Sequence, residues 1–75
     1  MKMSSEILSE FIHDHEGVQR KVELWKEQDH YELLCFKDNS LQGTRIINGH
    51  SLHYAEDAAE NYVFGLYELK KHEQL

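Results

Sequence analysis

The chain lacks proline altogether and has one cysteine and four scattered glycines in 75 residues. Cys35 alone forms no intramolecular bridge, which excludes a disulfide-stapled secreted fold. No apolar run approaches the roughly 20 residues that cross a bilayer. The opening Met1-Lys2-Met3-Ser4-Ser5-Glu6 has no apolar stretch and cleavage site of the signal-peptide kind, so a cytoplasmic location is expected. Positive charge is scarce as well: 8 Lys+Arg stand against 14 Asp+Glu, giving a formal charge of −6 and a pI near 5.4. That balance argues against the clustered basic footprint of a nucleic-acid binder. A phosphate-cradling glycine loop and a Cys-x-x-Cys pair are also missing.

What the chain does contain is enough to fold. Hydrophobic residues make up 40% and aromatics 11%, more than a disordered acidic tail carries. A domain of this size buries only about 60% of the surface its unfolded chain exposes, so its stability is marginal or shared with a partner. The negative charge is unevenly spread. Residues 1–16 carry one Lys and four acids, residues 17–49 five bases and five acids, and residues 50–75 two bases and five acids. Both ends are acidic and the middle is balanced.

One small domain over 1–75 is expected, of α+β class in the order α-β-β-β-α. A short N-terminal helix is expected over 1–16, because Ile7, Leu8, Phe11, Ile12 and His15 recur at steps of one, three and four. Ser4 or Ser5 would cap it and Gly17 would end it. A three-stranded antiparallel meander is expected over 18–48. Val18, Arg20, Val22 and Leu24 alternate with polar residues and Trp25, and Tyr31–Lys37 is rich in aromatic and aliphatic residues. A turn at Gln28-Asp29 sets Leu24 opposite Leu33, Val22 opposite Cys35, Arg20 opposite Lys37, Trp25 opposite Glu32 and Lys21 opposite Phe36. The third strand, Gly43–Asn48, has two registers open to it, depending on the turn around Asn39-Ser40.

A C-terminal helix is expected over 51–69, capped by Ser51. Ala55, Ala58, Ala59, Tyr62, Val63 and Leu66 form its apolar stripe, and Lys70, Lys71 and His72 suit its negative end. The Asn48-Gly49 hairpin signal supports a competing fourth strand through Leu52 and Tyr54. The expected core is Val22, Leu24, Leu33, Cys35, Ala55, Ala58, Ala59, Tyr62, Val63 and Leu66, with Ile46 or Ile47.

Six histidines invite a metal reading. His50 and His53 are the weak candidate ligands, whereas His13 and His15 diverge if they lie on a helix. A zinc site needs three or four converging ligands, so no metal or other cofactor is expected. Cys35, mid-strand between Leu34 and Phe36, reads as a small buried hydrophobe rather than a nucleophile. Glu56, Asp57 and Glu60 are the densest carboxylates, but on the outer side of an amphipathic helix they are solvated and ordinary. No catalytic residues and no small-molecule substrate are expected.

The sequence therefore points to a non-enzymatic interaction or regulatory accessory protein. Trp25, Leu34 and Phe36 form a second apolar sheet face, covered either by the N-terminal helix or by another copy of the chain. Glu56, Asp57 and Glu60 would present an acidic surface to a basic protein. A homodimer and an unidentified protein are the expected partners, and no membrane contact is expected. The alternatives are single-stranded nucleic acid on the aromatic sheet face and a His-ligated metal.

Overall fold

The computed structural model describes residues 5–66. Among these residues the order is β1 (Glu6–His15), β2 (Val18–Lys26), β3 (Tyr31–Lys37), β4 (Ser40–Ile47) and α1 (Leu52–Val63). The strands form one antiparallel sheet in the order β1-β2-β3-β4. The α+β class holds, but the sheet has four strands rather than three.

The helix expected over 1–16 is instead strand β1, and its spacing has a local cause. β1 pairs with β2 from Glu6↔Lys26 to His15↔Val18, with a bulge between Ile7 and Ser9. The bulge adds one residue, Leu8, and interrupts the two-residue alternation there. Leu8 and Phe11 then pack against the core, while Ile7 and Ile12 point to the other side. Apolar residues in the order 7, 8, 11, 12 imitate a helical stripe although the backbone is extended. Gly17, expected to end that helix, forms a two-residue hairpin turn with Glu16. Both residues have positive φ (53° and 80°), as a turn matched to strand twist requires. The edge of β2 is thereby covered by β1.

The β2–β3 register is the expected one, with Leu24↔Leu33, Val22↔Cys35, Arg20↔Lys37, Trp25↔Glu32 and Lys21↔Phe36. The next turn is Asp38-Asn39, also with positive φ at both positions. A second bulge between Cys35 and Phe36 then sets Tyr31 opposite Ile47. Ile47 is therefore the core residue and Ile46 is exposed.

Residues 48–51 lead directly into α1, and the competing strand through Leu52 and Tyr54 is instead the start of that helix. Ser51 caps α1, its hydroxyl accepting from the Tyr54 N–H at 3.3 Å. α1 stops at Val63, short of the expected end at 69, because Gly65 takes φ of 79°. The Gly65 N–H donates to the Tyr62 carbonyl and the Leu66 N–H to the Asn61 carbonyl, a left-handed helix stop. Leu66 is consequently 78% exposed and is not part of the core. Leu69, Lys70, Lys71 and His72 lie outside the described residues.

The core is one layer between α1 and one sheet face. Val22, Leu24, Leu33, Cys35 and Ile47 pack against Ala55, Ala58, Ala59, Tyr62 and Val63. The alanines let the helix axis approach the sheet. The Tyr62 hydroxyl donates to the Phe36 carbonyl at 3.4 Å. Glu27 is the one buried charged residue among the described residues. It accepts from the Ser5 hydroxyl at 2.6 Å and so ties the start of β1 to the β2–β3 loop.

Candidate functional site: the open sheet face

Directly opposite residues in an antiparallel sheet share a face. The registers therefore assign Ile7, Glu10, Ile12, Asp14, Gln19, Lys21, Glu23, Trp25, Glu32, Leu34, Phe36, Leu41, Thr44 and Ile46 to the side away from α1. No described element covers this side. Trp25, Leu34 and Phe36 are half-buried among their neighbours, while Ile7, Ile12, Leu41 and Ile46 are 47%, 55%, 56% and 41% exposed. The expected group Trp25, Leu34 and Phe36 is thus brought together on one surface, and the N-terminal segment enlarges that surface instead of covering it.

Charge divides unequally between the two sides. Glu10, Asp14, Glu23 and Glu32 lie on the open face with a single base, Lys21. Arg20, Lys26, Lys37 and Arg45 belong to the α1 side by the same registers. The aromatic platform is therefore the acidic side of the sheet, the reverse of what a phosphate backbone needs. Lys21 Nζ lies 3.6 Å from Glu10, 3.7 Å from Glu23 and 4.6 Å from the Phe36 ring centroid. The Trp25 indole N–H donates to Glu23 Oε1 at 3.1 Å. Sequence reasoning missed Glu10, Ile7 and Ile12 as members of this surface, and only a strand reading of 6–15 could have found them.

Glu56, Asp57 and Glu60 sit on α1, across the sheet from Trp25 and Phe36, so one small partner does not touch both groups. Asp57 and Glu60 are exposed and Glu56 is half-buried. A cleft of about 220 Å³ is lined by Arg45, Tyr54, Asp57, Ala58 and Asn61, so of the three acids only Asp57 reaches it. It is smaller than the several hundred cubic ångströms of an ordinary ligand site.

The histidines do not converge. His50 stacks on Tyr54 with centroids 3.9 Å apart, and His53 is exposed on α1. On a strand His13 and His15 share a side, contrary to the helical reading. Their rings stack 6.2 Å apart, and His13 meets Phe64 edge-on at 4.7 Å. Among the described residues no three His, Cys, Asp or Glu side chains are grouped to hold a metal ion. Cys35 is buried, and burial pushes its thiol from 9.0 up to about 12. No helix among the described residues is long and apolar enough to cross a membrane.

Among the described residues His30 is the histidine whose titration its surroundings shift. Its ring nitrogens lie 2.8 Å from Asp29 Oδ1 and 3.1 Å from Glu32 Oε2. The Asp29 and Glu32 hydrogen bonds raise its pKa above 6.5, and the His30 hydrogen bond lowers that of Asp29. A raised folded-state pKa stabilises the fold below the unfolded value, and the gain is lost as pH rises through the folded value. His30→Gln should therefore lower the urea midpoint relative to the parent at about pH 5.5, with the gap narrowing by about pH 8. A gap that is constant with pH overturns this assignment.

No known protein family, curated protein or solved structure matches the chain.

Proposed function

We propose that this chain is a non-enzymatic protein-interaction domain that docks a different protein on its open sheet face. The observation that carries the reading is that, among the described residues, only one face of the sheet is layered. One face of the sheet is buried under α1, while the other presents Trp25, Leu34 and Phe36 with four exposed aliphatic side chains around them. Apolar sheet faces are normally covered, and contiguous exposed apolar surface marks interaction sites. A second copy stacked face to face would set four carboxylates and one lysine against the same set, so like charges would meet across the interface. This favours a different protein over the homodimer.

Photocrosslinking in the cells the protein comes from tests the reading. A benzophenone amino acid in place of Ile46 reports on the open face, and one in place of Asp57 reports on the outer side of α1. A heterologous adduct is expected from position 46 and not from position 57. Three results would overturn the proposal: adducts from position 57 alone, a product at twice the 8.9 kDa of the chain, or no adduct at either site.

A further inference from the structure

The charges on the open face specify what kind of segment it takes, an inference that rests on the docking reading above. Glu10 and Glu23 stand directly opposite each other on β1 and β2. Two carboxylates so placed repel, and a cation between them relieves the repulsion. Lys21 supplies that cation, its ammonium 3.6 and 3.7 Å from the two carboxylates and 4.6 Å from the Phe36 centroid. Glu23 is held in place from the other side by the Trp25 indole N–H at 3.1 Å. Two carboxylates and an aromatic ring thus surround one ammonium in the middle of an apolar surface. Lys21 does not balance the face, because Asp14 and Glu32 lie on it too and the titratable His30 stands beside Glu32.

We propose that the open face binds an amphipathic protein segment carrying Lys or Arg among its apolar side chains, and that one of those cations replaces Lys21 between Glu10 and Glu23. Three features of the surface fit such an occupant. Ile7, Ile12, Trp25, Leu34, Phe36, Leu41 and Ile46 supply the apolar contact area. The excess carboxylates steer a basic segment towards it and reject an acidic one. The long, partly exposed Lys21 side chain can leave without disturbing the backbone, since Lys is a flexible point charge. An arriving guanidinium adds what an ammonium lacks, a planar fork for a carboxylate and a flat surface against the Phe36 ring.

The probe is a pair of amphipathic helical peptides of about 18 residues, or five turns. They share one leucine pattern, and the polar face is Lys and Arg in one and Glu in the other. Binding to the full chain is read from Trp25 fluorescence at low and high salt. The basic peptide is expected to bind at least about tenfold more tightly than the acidic one, with the difference shrinking as salt screens it. Lys21→Gln should tighten the basic peptide about threefold to tenfold, the scale of its two partly exposed ion pairs and one cation–π contact. Lys26→Gln, the same charge change on the α1 side, should leave binding within about twofold, since a local site and not net charge sets the effect. The double variant Glu10→Gln and Glu23→Gln should loosen it by about tenfold.

If both peptides bind equally well, or if Lys26→Gln acts like Lys21→Gln, this inference falls and the docking reading stands. If neither peptide binds while photocrosslinking from position 46 still captures a protein, the basic-segment assignment alone is wrong. If both experiments fail, the docking reading falls with it.

Discussion

Leu24→Ala is expected to cost about 3 kcal/mol, within the range for emptying a packed leucine site. A domain this small has on the order of 5 kcal/mol in total, so the variant should keep only about 2 kcal/mol, with a few per cent of its molecules unfolded at room temperature. Leu24 is buried between Ser9 on β1 and Leu33 on β3, and it faces the α1 alanines. Those neighbours belong to three elements and cannot collapse into the space together. The matching change on the open face is Ile12→Thr. Ile12 is 55% exposed opposite Lys21, and threonine keeps the β-branched shape that suits a strand. Its effect should stay within about 0.5 kcal/mol. In thermal melts at roughly 4–8 °C per kcal/mol, the first variant should fall by about 12–24 °C and the second by a few degrees at most. Equal losses would mean that the open face is structural core, and the interaction reading would lose its main support.

The contrast between these two leucine-sized positions shows which part of the fold was legible in the sequence. The pairing of β2 with β3 was, because a two-residue alternation on both sides of a turn at Gln28-Asp29 keeps Val22, Leu24, Leu33 and Cys35 on one side. α1 was legible through its 3.6-residue stripe, up to the point where Gly65 could either continue or stop it. The strand β1 was not. Its bulge at Leu8 breaks the alternation, and its turn glycine has the same positive φ that ends helices. Both local signals were compatible with either structure, and tertiary pairing with β2 decided between them.

The candidate site was legible to the same extent. Trp25, Leu34 and Phe36 follow from the β2–β3 register, so the alternation alone groups them. Glu10, Ile7 and Ile12 depend on β1, and Leu41 and Ile46 on the second bulge. Hence the size of the apolar surface and its negative charge stayed hidden, and with them the argument about the partner. Net charge by segment placed the acids at the two ends of the chain. The fold then places part of the first acidic segment on the aromatic face, where it changes the chemistry of the surface.

Cys35 should resist alkylation in the native chain by a factor of at least about a thousand at pH 8 relative to the same chain in urea. Two effects act together. The thiol is buried beneath α1, and a rise from 9.0 to about 12 lowers its thiolate fraction by about three powers of ten. The nearby Arg45 pulls in the opposite direction but is outweighed by burial. Reaction then proceeds through opened molecules, so the rate follows their population. Leu24→Ala should speed it in proportion to the lost stability, about a hundredfold for roughly 3 kcal/mol, while Ile12→Thr should change it less than about threefold. Iodoacetamide labelling followed by mass spectrometry measures all four rates. A native rate close to the rate in urea would mean an accessible, ionisable thiol, and Cys35 would then return as a candidate nucleophile. A rate that rises only with core destabilisation assigns the cysteine to packing and leaves the open face as the chemically distinctive surface of the chain.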